Sequence, residues 1–137
     1  MEISRLGSSK SIAVLDTSSL LLIAEGRVTV EDLLEGLDLS SVVIPDVVVS
    51  ELQRLASKQD MRGRLAQWVL NNLVPMFQLM TTGYKDKPVD EALIELSRNT
   101  GFILVTADIE LAKRALRSGV RVAIYRSAKK RFVLLSE

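Results

Sequence analysis

Five short apolar runs rich in β-branched residues alternate with stretches of helical periodicity, and this alternation limits the possible fold more than any other feature. The apolar runs predict strands at Ile12–Leu15, Val42–Ile44, Met76–Leu79, Phe102–Val105 and Val120–Ile124. The periodicity between them predicts helices over residues 28–37, 45–58, 61–73, 88–101 and 108–119. Such alternation is typical of βαβ units, and continuously apolar strands are typical of a parallel sheet covered on both faces. We therefore predict a three-layer α/β/α fold with a mostly parallel central sheet of about five strands.

The length of 137 residues suits one domain, and we predict a single domain over residues 1–137. The final segment, KKRFVLLSE, is expected to add a short edge strand. In the helix predicted over 61–73, the residues at helical spacing that we expect to face the core are Leu65, Trp68, Val69 and Leu73. Asp46 follows Pro45 and is expected to cap its helix, outside any functional site.

The chain contains no cysteine and no histidine, which excludes several kinds of chemistry. Disulfides, zinc knuckles, thiol nucleophiles and Ser-His-Asp triads all require one of these two residues. A metal bound without nitrogen or sulfur side chains would be a hard cation with oxygen ligands. The composition therefore favours Mg²⁺ or Mn²⁺ over Zn²⁺.

Acidic residues stand where predicted strands end and helices begin. Asp16 ends the first strand, Asp108 follows the fourth, Glu51 lies in the helix after the second, and Asp90 opens the helix before the fourth. Ligands of parallel α/β sheets bind outside the carboxyl ends of the strands. We therefore expect at least Asp16, Glu51 and Asp108 to open onto one crevice.

Each acid also has a purely structural interpretation. Asp16, Asp90 and Asp108 are good helix N-caps, and Glu51 taken alone is an ordinary exposed helix residue. Taken together they are costly, because two unit charges about 5 Å apart repel by about 3 kcal/mol at an effective dielectric constant near 20. The summed repulsion of three such pairs would approach the free energy of unfolding of a domain. A cluster of this kind must take up protons or a divalent cation, and a metal held by carboxylates suits phosphate chemistry.

Basic residues concentrate in the last third of the chain. Residues 98–137 carry 9 basic and 3 acidic side chains, against 9 basic and 14 acidic side chains in residues 1–97. A basic segment of this kind can attract a polyanion, although a solvated charged face is the simpler interpretation.

Four segments of the chain form a recognisable series: VLDTSSLL, VVIPDVVVSELQRLA, VDEALIEL and ILVTADIELAKRALRSGVRVAIYR. They resemble the successive motifs of PIN domains, which are small metal-dependent ribonucleases, and the resemblance extends from Ile12 to about Leu135. Within the family, the chain looks closest to archaeal relatives of the small-subunit processome endonuclease, and VapC toxins are a more distant comparison. The resemblance implies a PIN-like α/β fold.

The resemblance also implies roles for particular residues. The metal-binding and catalytic acids would be Asp16, Glu51, Asp90 and Asp108. Their hydroxyl neighbours would be Thr17, Ser18 and Thr106, of which Thr106 would orient Asp108 or a metal-bound water. The chain departs from the family at Ser18 and Ala107, where Asn is common, so side-chain support of the acids is reduced.

The function that the resemblance implies is an endoribonuclease with one or two Mg²⁺ or Mn²⁺ ions, acting on single-stranded RNA. In-line attack would leave a 5′-phosphate and a 3′-hydroxyl. Processing of ribosomal RNA is one candidate role within this function, and we expect a cytoplasmic protein. The candidates for contact with RNA phosphates are Lys113, Arg114, Arg117, Arg121, Arg126, Lys129, Lys130 and Arg131.

Three alternatives stay open on the sequence alone. A VapC-type toxin would be paired with an antitoxin, and a non-catalytic PIN-fold module would bind RNA or protein without cleaving. A phosphoacceptor signalling domain is disfavoured, because Asp16 stands alone and no acceptor Asp follows the third strand. A homodimer through the helices at 28–37 and 61–73 is also possible.

Overall fold

The computed structural model describes residues 11–84 and 86–135, which contain six strands and six α-helices. The strands are β1 (Ser11–Leu15), β2 (Leu39–Pro45), β3 (Gln78–Met80), β4 (Ile103–Thr106), β5 (Val122–Arg126) and β6 (Arg131–Leu134). The helices are α1 (Thr17–Ala24), α2 (Val30–Gly36), α3 (Asp46–Ala56), α4 (Met61–Trp68), α5 (Val89–Thr100) and α6 (Ile109–Arg117). The predicted domain's first ten residues, and residues 136 and 137 of the predicted edge segment, lie outside the described residues.

The strands form one sheet in the order β3-β2-β1-β4-β5-β6. The strands β1 to β5 run parallel to one another, and β6 closes the edge antiparallel to β5. All four side chains of β4 are buried. Because successive side chains of a strand point to opposite faces, both faces of β4 are covered. The predicted α/β fold with a mostly parallel sheet is confirmed, with β6 as the expected edge strand.

β1 lies at the point where the order of strand addition reverses, and this position determines where the site lies. The chain passes from β1 to β2 on one side and returns later to β4 on the other. Leu15 pairs with Val105, and the backbone N–H of Asp16 donates to the Val105 carbonyl oxygen at 3.3 Å. The carboxyl ends of β1 and β4 therefore diverge into separate helices at one crevice, where ligands of such sheets bind.

Three details differ from the sequence-based expectations. Trp68 is 45% exposed rather than part of the core, because the side of α4 that packs inward carries Gly63 and Ala66. The third strand begins at Gln78, since a π-helical turn (Val69–Leu73) and a 3₁₀ turn (Val74–Met76) follow α4. The helix α1, which follows Asp16 directly, is not among the helices that the sequence pattern predicts.

Asp46 holds a loop as well as the start of its helix. The prediction that Asp46 is the cap residue is wrong by one position, because Pro45 occupies the cap position and Asp46 is the first residue of α3. The Asp46 carboxylate accepts from the Val47 N–H at 2.8 Å. The same carboxylate accepts from the backbone N–H and hydroxyl of Thr82, beyond β3.

None of the helices in the described part of the chain has the length and apolar character of a membrane span.

Candidate active site

Asp16 is a buried carboxylate at the end of β1. It is 5% exposed and caps α1 by accepting from the Ser19 N–H at 2.9 Å. The hydroxyl of Thr106, at the end of β4, donates to Asp16 Oδ2 at 2.5 Å, and Ser18 Oγ lies 2.9 Å from both carboxylate oxygens. Asp16 is therefore a helix cap, as its structural interpretation required, and also the centre of a polar network between two strand ends.

Burial raises the pKa of Asp16 to about 6, from an ordinary value of 3.8. The hydrogen bonds from Thr106, Ser19 and Ser18 favour the charged form and oppose this rise. Burial is the larger effect, so the network compensates the desolvation of the charge only in part.

Thr106 and Ser18 join Asp16 to the loop that carries Asp108. The backbone N–H of Asp108 donates to Thr106 Oγ1 at 2.9 Å, and the backbone N–H of Ala107 donates to Ser18 Oγ at 2.9 Å. Ala107 offers no side-chain hydrogen bond, but its main chain makes one to Ser18. The Asp108 carboxylate caps α6 by accepting from the N–H groups of Glu110 and Leu111 at 2.9 and 3.2 Å.

Glu51 approaches this network from α3. The hydroxyl of Thr17, the residue next to Asp16, donates to Glu51 Oε1. On the other side of the carboxylate, Arg54 Nη2 lies 3.7 Å from Glu51 Oε2. Glu51 is half-buried, so it is not the freely exposed helix residue of its structural interpretation.

Asp90 lies in the first turn of α5, where Pro88 rather than Asp90 occupies the cap position. Its pKa is raised chiefly by partial burial, then by the charges of Asp108 and Glu51, while Arg114 lowers it. Arg114 Nη1 lies 3.7 Å from Asp90 Oδ2. Asp90 is therefore close enough to two of the other acids to feel their charge.

The four acids reach one region of the molecule, but each is turned to a different partner. Asp16 is bonded to hydroxyls, Asp108 caps α6, Glu51 pairs with Arg54 and Asp90 pairs with Arg114. In the part of the chain that the structure describes, no three acidic side chains stand close enough to enclose a metal ion. The donor atoms, carboxylate and hydroxyl oxygens, are those that a hard divalent cation prefers. The donor chemistry thus fits such a cation, and the present side-chain directions do not yet surround one.

A pocket of about 830 Å³ adjoins Glu51 and Asp90 between α3 and the start of α5. Arg54 and Lys87 line it, and neither was a candidate from the sequence. The spacing of Glu51 and Arg54, three residues apart on one helix, was the available signal for Arg54.

The basic candidates are all exposed but do not share one surface. Arg126 and the segment 129–131 form the β5–β6 turn, at the carboxyl edge of the parallel strands. Arg121 lies at the opposite edge, where its guanidinium donates to the Gly101 carbonyl oxygen and the Ser11 hydroxyl. The other three candidates, Lys113, Arg114 and Arg117, lie on α6, which starts at the carboxyl edge. Because an α-helix rises about 1.5 Å per residue, Arg117 lies about 13 Å along the helix from Asp108.

Comparison with known proteins agrees with this fold. The family model of the PIN-like domain matches residues 13–128, and the chain belongs to this family. Ribonuclease VapC9 of Archaeoglobus fulgidus is 29% identical over 123 residues, which cover 90% of this chain and 89% of that protein. YacL of Bacillus subtilis, an uncharacterised protein containing PIN and TRAM domains, is 31% identical over 76% of this chain and 30% of its own length.

Among solved structures, the PIN domain endonuclease Utp24 matches with a TM-score of 0.72 at 19% identity. The match covers 96% of this chain and 97% of that one. This likeness concerns the fold. The predicted membership of the PIN family is confirmed.

Proposed function

We propose that this protein is a metal-dependent endoribonuclease that hydrolyses phosphodiester bonds of single-stranded RNA. Asp16, Glu51, Asp90 and Asp108 would hold one or two Mg²⁺ or Mn²⁺ ions. The observation that carries the proposal is the Thr106 hydroxyl, which donates to Asp16 and accepts from the Asp108 N–H. It links two acids 92 positions apart in the sequence at one sheet edge, and one of them, Asp108, raises the pKa of Asp90 together with Glu51.

When bound, a divalent ion lowers the pKa of a coordinated water and stabilises the leaving 3′ oxygen. The residues of this chain would orient the reactants. Thr106 and Ser18 fix the direction of the Asp16 carboxylate, and Thr17 does the same for Glu51. Asp16 must be ionised to serve as a ligand, and at limiting metal concentration we expect activity to fall as the pH decreases below about 6, because protons then compete with the cation for the carboxylate.

The role we favour is processing of ribosomal RNA. We propose that it takes place in the cytoplasm and that residues 1–137 act as a single domain. A VapC-type toxin is the second candidate, because the similarity to Ribonuclease VapC9 covers nearly all of both chains. The toxin role requires growth arrest on expression alone and neutralisation by a partner antitoxin, and a homodimer would be in keeping with it. A processing enzyme should show neither arrest nor an antitoxin.

Replacement of Asp16 by Asn tests the nuclease proposal. We expect the rate of cleavage of a single-stranded RNA in Mn²⁺ to fall by about a hundredfold or more, since a charged ligand is lost. RNA affinity in EDTA should stay within about threefold of the wild-type value, because Asp16 is buried and contributes little to RNA contact.

The matched control is Asp32→Asn, which makes the same chemical change at an exposed position of α2. It should cleave at the wild-type rate. Equal cleavage by the Asp16 and Asp32 variants would contradict the assignment of Asp16. RNA binding by the wild-type protein without cleavage in either metal would favour the non-catalytic module.

A further inference from the structure

The pocket between α3 and the start of α5 is lined by residues of two kinds. The apolar lining residues are Val47, Pro88 and Val89. The charged side chains at its rim are Asp46, Glu51, Arg54, Lys87, Asp90 and Arg114. Its volume of about 830 Å³ lies within the range of pockets that enclose a small organic ligand. Apolar residues beside cationic groups suit a ligand that carries both a flat apolar part and a phosphate.

The two arginines at this rim are held only weakly by the acids. Arg54 lies 3.7 Å from Glu51 with its side chain 67% exposed, and Arg114 lies 3.7 Å from Asp90 with its side chain 45% exposed. Ion pairs as exposed as these contribute little free energy. Either guanidinium can therefore exchange its carboxylate for another anion, and its planar fork is suited to binding two oxygens of a phosphate.

The formal charge of the pocket depends on what the acids bind. The rim carries three acidic and three basic side chains, so its charge is zero as the side chains stand. If Glu51 and Asp90 bind one divalent cation, the charge becomes positive by two and the arginines lose their partners. The positive charge then attracts a phosphate, whereas without the cation the carboxylates of Glu51 and Asp90 repel it.

We propose that this pocket is a nucleotide subsite of the RNA-binding surface, in which Arg54 and Arg114 bind the RNA phosphate once Glu51 and Asp90 have turned to a divalent cation. The proposal rests on the nuclease function and adds to it the residues that receive the nucleotide beside the scissile bond. The base or ribose lies against Val47, Pro88 and Val89. RNA binding is therefore coupled to the cation through two named side chains.

The test measures binding rather than cleavage. A fluorescent single-stranded RNA of about ten nucleotides is titrated with the protein in EDTA and in Ca²⁺, and the RNA is checked for integrity on a gel. We expect Ca²⁺ to tighten wild-type binding by about tenfold. Arg54→Gln and Arg114→Gln should lose most of this gain and bind as the wild type does in EDTA.

Arg98→Gln is the control, because Arg98 is an exposed arginine in the last turn of α5, away from Asp90. It should keep the full gain in Ca²⁺. Arg54→Lys should recover part of the gain, since it restores charge without the guanidinium fork. All variants should unfold at the wild-type temperature, because the replaced side chains are exposed.

Two results would overturn the subsite. In one, the Arg54 and Arg114 variants bind RNA in Ca²⁺ as tightly as the Arg98 variant. In the other, they lose affinity equally in EDTA and in Ca²⁺, so that the cation has no part in their contact with RNA. Failure of the nuclease proposal is distinct: the wild-type protein would then leave RNA intact in Mn²⁺ and Mg²⁺ while the arginine-dependent gain in binding persisted.

Discussion

Asp16 combines two requirements that conflict in the metal-free protein. Its burial under the carboxyl ends of β1 and β4 removes the charge from water, and burial is the largest influence on its pKa. Its hydrogen bonds from Ser18, Ser19 and Thr106 hold the carboxylate in one orientation. A carboxylate oriented in this way is preorganised for a cation, at the expense of stability when no cation is present.

The pKa of Asp16 predicts how the stability of the metal-free protein changes with pH. The folded pKa of about 6 lies above the ordinary value of 3.8, so the folded state binds the proton more tightly than the unfolded state. The stability contributed by this proton is fully present below pH 3.8 and is lost as the pH rises to about 6. The cost at neutral pH is about 3 kcal/mol at most.

Asp16→Asn removes this cost while keeping a cap for α1. In urea denaturation with EDTA near neutral pH, we expect the variant to have a free energy of unfolding up to about 3 kcal/mol above that of the wild type. The difference should shrink towards zero near pH 4, and Asp32→Asn should show no such pH-dependent difference. A variant less stable than the wild type at neutral pH would mean that the hydrogen bonds outweigh the burial.

The sequence indicates the acids of the site better than it indicates the basic residues. Asp16 and Asp108 are predictable because each follows an apolar strand, and parallel strands end at a common edge. Arg54 was missed because its role depends on the direction of its side chain towards Glu51. Arg121 was included because charge was counted along the chain, which does not reveal that it lies at the opposite edge of the sheet.

At the level of elements, α3 and α4 approach closely because small residues face the contact. Gly63 and Ala66 are buried on α4, whereas Leu65 is half-buried and Trp68 is exposed. Of the four residues predicted to face the core, Val69 and Leu73 are buried and Leu65 packs against the core, so the prediction is wrong for Trp68 alone. Helical spacing gives the period of a face, but the size of the gap between two helices decides which residues fill it.

Gly63→Ala should weaken this contact. A Cβ atom at position 63 would lie 2.1 Å from the Lys58 carbonyl oxygen and 2.9 Å from that of Leu55, so the backbone of one helix must move. We expect the free energy of unfolding, measured in urea, to fall by about 2 kcal/mol or more, although alanine is otherwise favoured in helices.

Gly36→Ala is the matched control for this change. Gly36 ends α2, and nothing lies within 4 Å of a Cβ atom built there. Its replacement should leave the protein unchanged or stabilise it by up to about 1 kcal/mol. Equal effects at the two positions would show that α3 and α4 have room to separate.

At the level of the whole molecule, the sheet topology brings charge of both signs to one edge. The acids follow β1 and β4, and the basic turn at 126–131 follows β5, the next strand along. Thr106 pairs with Ile124, so Arg126 lies two residues beyond the level of Thr106. A net charge of +1 therefore conceals a cationic turn beside an anionic crevice, an arrangement that can hold an RNA backbone close to the acids.

The basic turn should contribute to RNA affinity through phosphates rather than through bases. Replacing Lys129 and Arg131 together by Gln should weaken binding of single-stranded RNA uniformly across sequences. It should also reduce the slope of log K against log salt concentration by about 1.4, since each phosphate contact contributes about 0.7. The cleavage rate at saturating RNA should remain near that of the wild type, because the turn does not include the acids of the crevice.

The control for this pair is Arg98→Gln with Arg117→Gln, which removes the same charge from the last turns of α5 and α6. Both helices start at the carboxyl edge and run away from it, so these arginines lie far from the acids. The control should leave the salt dependence of binding close to that of the wild type. If both double variants lower the slope equally, RNA responds to the overall charge of the protein, and the position of the turn beside the crevice has no part in binding.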